Sequence, residues 1–323
     1  MKIKMKIRIF IAAISLIVLP VLTLTAAESN RTPVQLQKRI DSIFVIASSG
    51  ELKYRDKVDP AIESLAKLGA KAVPALIDKF TTKSARERLT IIKILKKIGS
   101  PALPDLIDAL SRPEWLVVKR VCWTLGDISD SAAVLPLTGV ASHDNWQVRE
   151  YSIRALGKIG DLQAVAVVIK SFNDPVGQVR KSAVVSAGQL NSTETISYLI
   201  QILGDAYYGA RLSAVEALLT KDTTLLLAQL KETLKSASGL KAKLAMKILG
   251  QIGNDEAMDI LSEQLNSGNR QKVTDAAIAI VSADPRDICG YHESVFEKVK
   301  DRLDLLKIKS ARASAGDGTH SAN

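Results

Sequence analysis

Residues 145–161 read NWQVREYSIRALGKIGD. Leu156 in this stretch belongs to a register that runs through most of the chain. Leu65, Leu95, Leu125, Leu156, Ala187, Leu218, Leu249 and Ile280 follow one another at a near-constant interval of about 31 residues, and a fixed period of this size marks a repeat architecture. Four residues past each anchor stand Gly69, Gly99, Ser129, Gly160, Asn191, Asp222, Gly253 and Asp284. Gly and Asn, and less often Asp, tolerate the left-handed backbone that ends a helix. The column therefore predicts a helix end in every unit.

Before the anchors the apolar spacing is helical. Ile91, Ile92, Leu95 and Ile98 form one stripe, and Ala245, Met246, Leu249 and Ile252 another. The position four before the anchor is small in most units: Ala61, Ser152, Ala183, Ala214, Ala245 and Ala276. Small side chains there let neighbouring helices approach. A second helix follows each cap, with apolar triplets such as Ile196, Leu199 and Leu203, and Leu227, Leu230 and Leu234. Pro74 and Pro104 stand near the start of theirs, where a missing N–H is tolerated. A helix pair of about 31 residues cannot bury its own apolar face, so its neighbours must stack on it. The expected fold is all-α, an α-solenoid of about eight two-helix repeats over residues 51–305.

The units resemble HEAT-like repeats, in particular the short repeats of the phycobilisome-lyase type. Asn145, Trp146, Val148, Arg149, Ala155, Leu156, Gly157, Ile159, Gly160 and Asp161 carry the resemblance. Asp174, Val179, Arg180 and Gly188 continue it, followed by Asp205, Tyr208 and Arg211. Departures are Val118 and Ala242 in the Arg column and Lys221–Asp222 in place of Ile-Gly. The resemblance implies that Arg149, Arg180 and Arg211, with Asp144, Asp174 and Asp205, form an internal ladder bridging adjacent repeats. The other reading of the same Arg column is a grip on an acidic partner.

Outside the repeats, Lys2, Lys4, Lys6 and Arg8 precede an apolar run from Ile9 to Leu24 and the small residues Thr25, Ala26 and Ala27. That is the layout of a signal peptide over residues 1–27, cleaved after Ala27, which sends the protein to the periplasm or the exterior. An uncleaved inner-membrane anchor through residues 9–27 is the alternative. Residues 28–50 contain an amphipathic helix with Leu36, Ile40 and Phe44 and are expected to cap the first repeat. Residues 306–323 have no apolar period and are expected to be a disordered tail. Asn30 and Asn191 stand in Asn-x-Thr/Ser sequons, which matter only in a eukaryotic secretory route.

The formal charge of +10 shrinks once position is considered. Removal of residues 1–27 leaves 40 basic and 34 acidic residues. Residues 51–99 hold 12 basic and 6 acidic residues, whereas residues 100–230 hold 11 and 13. The basic character is local, with Arg86, Arg88, Lys93, Lys96 and Lys97 as candidate contacts for an acidic partner. Trp115, Trp146 and Tyr208 share one column, with Tyr207 beside it. They are candidates for a binding stripe, against the plainer reading that each ring packs the start of its helix.

Nothing in the chain has the spacing of a catalytic or metal motif. Its three His residues, at 143, 292 and 320, are scattered. Cys122 and Cys289 fall in buried columns five repeats apart, beyond disulfide reach, and are expected to be unpaired. No catalytic, cofactor or metal residue is assigned. The expected function is a monomeric, non-enzymatic, exported scaffold for a protein or peptide partner. A lyase-like accessory subunit acting on a partner protein is the alternative that the resemblance suggests, with export against it. Nucleic-acid binding stands behind both, because export separates the protein from DNA.

Overall fold

The computed structural model describes residues 34–190 and 192–283. The expected signal peptide, the sequons at Asn30 and Asn191, the cap positions Asn191 and Asp284, Cys289, His292, His320, residues 284–305 of the expected solenoid and the expected tail lie outside the described residues. Sixteen α-helices and short 3-10 segments make up the described chain, with no strand among the described residues. The fold is an all-α solenoid, divided into two compact units that meet in sequence between Pro136 and Leu137.

The first unit opens with α1 (Val34–Ala47), whose Ile40, Phe44 and Ala47 are buried. The repeats follow as α2 (Val58–Ala66) with α3 (Val73–Asp78), then α4 (Ala85–Ile98) with α5 (Leu103–Asp108), then α6 (Trp115–Ile128). The division falls within α7 (Val134–Val140). The second unit continues with α8 (Trp146–Ile159), α9 (Val165–Lys170), α10 (Gly177–Gln189), α11 (Thr195–Ile202) and α12 (Tyr208–Leu218). It ends with α13 (Thr223–Ser236), α14 (Gly239–Ile252), α15 (Asp255–Leu265) and α16 (Arg270–Ser282).

All eight anchors, from Leu65 to Ile280, have no exposed surface, so this column is the centre of each unit's core. The small residues four positions earlier are buried with them. The early second helices are not single rods. In α3, α5 and α9 six α-helical residues stand between 3-10 turns, as in Gly69–Ala72 and Lys79–Thr81 around α3. Pro74 and Pro104 occupy the first turn of α3 and α5. The later second helices, α11, α13 and α15, are continuous.

The helix-ending column behaves as its residue types dictate at five places. Gly69, Gly99, Ser129, Gly160 and Gly253 all have positive φ. Asp222 departs from the expectation. It has φ −52° and ψ 121°, and its carboxylate accepts the Leu225 N–H at 2.9 Å as the N-cap of α13. A carboxylate is worth more on the free N–H groups of a starting helix than in a strained left-handed turn. The neighbouring departure, Lys221, is also put to use. Its stem fills the apolar column and its Nζ donates to Ala187 O at 2.7 Å and Leu190 O at 2.8 Å. A cation thereby covers open carbonyls at the C-terminus of α10. Burial lowers its pKa below the usual lysine value.

A second column sets the spacing of helices in the second unit. Gly157, Gly188 and Gly250 follow their anchors directly. A Cβ on Gly157 would lie 2.6 Å from the Ser186 Cβ, and one on Gly250 would lie 2.6 Å from the Ala279 backbone oxygen. On Gly188 it would lie 3.1 Å from the Ala217 Cβ. These glycines let α8, α10 and α12, and then α14 and α16, approach backbone to backbone. Leu219, which caps the end of α12, stands in the glycine's place, and α12 and α14 pack less closely than the other pairs of this unit.

Candidate protein-binding surface

In the second unit the turns before α8, α10 and α12 are tied together by arginine. The Arg149 Nε and Nη2 donate to the two Asp174 carboxylate oxygens at 2.7 and 3.0 Å. Its Nη1 donates to His143 O at 2.9 Å and Asp144 O at 3.0 Å. Arg180 repeats the arrangement one unit later. Nε and Nη2 reach Asp205 at 2.7 and 2.8 Å, and Nη1 reaches Asp174 O at 2.8 Å and Pro175 O at 3.2 Å. Each aspartate also accepts a backbone N–H two residues on, from Val176 at 2.8 Å and from Tyr207 at 2.6 Å. One aspartate thus closes its own turn and receives the fork of the preceding repeat, while its backbone carbonyl holds the arginine of its own repeat. Bidentate pairs of this kind fix direction as well as distance.

The electrostatics agree with the geometry. Burial alone would raise the Asp205 carboxyl. The Arg180 bond, the Tyr207 N–H and the charges of Arg180 and Arg211 outweigh it and hold the group below its ordinary value. The bonds to Asp205 raise Arg180. Asp144 joins this unit's ladder through its backbone carbonyl, not through the carboxylate bridge expected from its place in the column. Arg211 donates through Nη1 to Asp205 O at 2.6 Å and Ala206 O at 3.0 Å. No carboxylate of a described residue receives its Nε and Nη2.

The aromatic candidates stand at the starts of first helices. In the second unit Trp146 and Tyr207 are partly exposed, and Tyr208 is 67% exposed. The Tyr207 ring lies over Gly177, where a Cβ would come within 2.6 Å of its Cγ. Its hydroxyl donates to the Gln178 Oε1 at 2.7 Å. Gly177 occupies the column of Trp146 and Tyr208, so Tyr207 covers the place where that repeat carries no ring. The Arg211 guanidinium stacks on Tyr208, 5.5 Å from the ring centroid. In the first unit Trp115 is partly exposed under the Lys119 ammonium, 5.1 Å from its centroid.

The basic run of the first unit divides into engaged and open charges. Lys93 pairs with Asp59 at 2.9 Å and Lys97 with Glu63 at 2.6 Å, both acids lying on α2. Lys96 is exposed and pairs with no described acid. The Arg86 guanidinium lies against the Gly50 backbone. Arg88, which occupies the ladder column, makes no rung. The carbonyl six residues before it, Thr82 O, is taken at 2.8 Å by Arg120 from α6, which also donates to Phe80 O. Arg120 is buried, and burial together with the Arg88 charge lowers its pKa. Sequence reasoning missed Arg120 because it lies two residues beyond the column, where Val118 stands.

Clefts are present in both units. One of 780 Å³ lies beside α1 and α3 and is lined by Phe44, Ser48, Asp78, Lys79, Thr82 and Glu87. Another, of 310 Å³, runs between α14 and α16 beside Lys243, Lys247 and Asp275. In the first the Thr82 hydroxyl donates to the Glu87 carboxylate and accepts the Ser84 N–H, contacts that close the turn before α4. Among the described residues no group of three or more His, Cys, Asp and Glu side chains is placed to hold a metal ion. His143 serves its turn, its Nδ1 accepting the Asn145 N–H at 2.9 Å. Cys122 is a buried free thiol, and burial pushes its pKa up to about 12. No described helix is long and apolar enough to cross a membrane.

Comparison with known proteins agrees with this architecture. A family model for HEAT repeats matches residues 73–144, 103–189 and 136–219. No curated protein matches the chain. Among solved structures, the complex of CpcE and CpcF of phycocyanin lyase from Nostoc sp. PCC7120 is similar, at 21% identity and TM-score 0.43. That match covers 45% of this chain and 97% of that one. Human deoxyhypusine hydroxylase in complex with glycerol is similar at 19% identity and TM-score 0.35, covering 75% and 98%. A designed armadillo repeat protein is similar at 18% identity and TM-score 0.36, covering 56% and 100%. With the family model matched between residues 73 and 219, and the same two-helix unit repeated on either side, the chain is a HEAT-like repeat protein.

Proposed function

We propose that the chain is a non-enzymatic scaffold, exported to the cell envelope, that holds a protein or peptide partner and works as a monomer. The observation that carries this reading is the set of turns in the second unit. Arg149 and Arg180 fix those turns, and the same turns present Trp146, Tyr207 and Tyr208 to solvent. Rings held on rigid backbone lose little freedom on binding, so they suit a contact surface. In the first unit, exposed Arg86 and Lys96 favour an acidic partner. Export rests on residues 1–27, with cleavage after Ala27. Retention through residues 9–27 would keep the scaffold on the membrane surface.

The test is site-specific photo-crosslinking in cells. A photoreactive residue at Trp146 or Tyr208 is expected to give one discrete adduct. The same residue at Leu162, which is exposed elsewhere in the unit, is expected to give none. The same set of adducts from all three positions would sink the proposal. N-terminal sequencing of the protein from the envelope fraction is expected to start at Glu28. Met1 in the cytoplasmic fraction would refute export.

A further inference from the structure

The ladder of the second unit stops half a rung short. Arg149 finds its carboxylate 25 residues on, at Asp174, and Arg180 finds its own 25 residues on, at Asp205. Counted the same way, Arg211 meets Ser236, an exposed residue at the end of α13 that offers no carboxylate. Nonetheless Arg211 is held as the others are. Its Nη1 sits on the carbonyls of Asp205 and Ala206, the counterparts of those that hold Arg149 and Arg180. Tyr208 supports the guanidinium from one side. The edge that grips aspartate in the two preceding repeats is therefore oriented and receives no carboxylate from a described residue.

We infer that the Nε–Nη2 edge of Arg211 is a carboxylate-binding site, filled by an Asp or Glu side chain of the protein partner. This inference rests on the scaffold reading above and adds the chemistry of the partner at one point. The two complete rungs show how such a ligand is received: an aspartate in a turn, both oxygens on the fork, one oxygen also closing its own turn. A partner presenting an acidic turn reproduces that arrangement. Tyr208, with most of its surface exposed beside the guanidinium, gives the same partner an apolar contact. A planar fork discriminates carboxylate from amide and loses its second bond when replaced by lysine.

The experiment is a titration of the full chain, following the arginine side-chain Nε–H signals by NMR. The probe is the capped peptide acetyl-Gly-Asp-Gly-amide, with the Asn peptide and acetyl-Gly-Gly-Gly with a free C-terminus as companions. The Asp peptide is expected to shift the Arg211 signal saturably, leaving Arg149 and Arg180 unmoved because their edges are filled. The Asn peptide is expected to do nothing. Ser236→Asp supplies the missing carboxylate from within and is expected to abolish the response. Arg211→Lys, which lacks that signal and is followed instead by the backbone amides of Tyr207 and Tyr208, is expected to weaken binding about tenfold or more while melting like the parent. Should Ser236→Asp fail to fold, Arg211→Lys alone decides.

A missing shift, an equal shift with the Asn peptide, or equal movement of all three arginines overturns the site. A response to the free C-terminus alone overturns the side-chain assignment. Crosslinking at Trp146 and Tyr208 that survives Arg211→Lys unchanged removes this inference and leaves the scaffold standing. An intact NMR response without any crosslinked partner removes the scaffold reading instead.

Discussion

In the first unit Lys93 and Lys97 reach back 34 residues to Asp59 and Glu63, while in the second Arg149 and Arg180 reach forward 25 residues to Asp174 and Asp205. Both arrangements join neighbouring repeats with opposite charges, yet they differ in environment. The side chains of Lys93 and Asp59 are 52% and 79% exposed, whereas those of Arg180 and Asp205 are 16% and 9% exposed. Exposed pairs are screened and contribute little. Partly buried bidentate pairs bound to backbone set the turns in place, and removing one partner leaves the other buried without its match. The second unit can therefore present side chains on fixed turns, whereas the lysine pairs of the first lie at the exposed surface, where pairing fixes little.

The largest effect should come from breaking a rung. Arg180→Ala leaves the Asp205 carboxylate and two carbonyls unmatched and should cost about 3 kcal/mol in chemical denaturation. Lys93→Ala in the first unit should leave the denaturation midpoint nearly unchanged. Equal losses would erase the distinction between the units. Next in size is the glycine column of the second unit. Gly250→Ala drives a Cβ toward the Ala279 backbone oxygen and should cost about 2 kcal/mol. Gly268→Ala meets nothing within 4 Å and should stay within about 0.5 kcal/mol of the parent.

Acid separates the units by a different route. The folded-state pKa of Asp205 is depressed, so its contribution is complete above the unfolded value, near 3.8, and is lost as pH falls through the folded value. The bond to Lys93 depresses Asp59 as well, with the same sign. Raising the salt concentration should remove the Asp59 contribution to acid stability and leave most of that of Asp205. Denaturation midpoints of Asp59→Asn and Asp205→Asn at low and high salt check this. The smallest effect concerns Lys221. Burial lowers its pKa, so as pH rises from that lowered value toward the unfolded one, near 10.5, the unfolded chain holds more protons and stability should rise with pH. Lys221→Met should flatten that rise while changing stability at neutral pH by less than about 1 kcal/mol, since the lost cap is offset by relief of burial.

Much of this was legible in the residues themselves. The regular register of Leu65 to Ile280 located the core, because a period dictated by stacking leaves the same burial at the same place in every unit. The Arg and Asp columns were legible for the same reason. The glycines at 157, 188 and 250 keep step with that register, so their role was open to the same alignment, although only the structure shows what each would strike. Other details escaped because they depend on which competing partner wins. Asp222 looked like a helix end and became a helix start. Arg120, outside the column, took the carbonyl that Arg88 would have held. Asp144 entered through its carbonyl. The open edge of Arg211 was hidden because the column predicted the arginine and said nothing of Ser236, the residue that the 25-residue count puts in the carboxylate's place.

The most direct test of the contrast between the units is a pair of double-mutant cycles, Arg180/Asp205 and Lys93/Asp59, each read by equilibrium denaturation. The expected coupling is about 2 kcal/mol or more for the arginine pair and indistinguishable from zero for the lysine pair. Equal couplings would contradict the view that the second unit's turns are held by its charges.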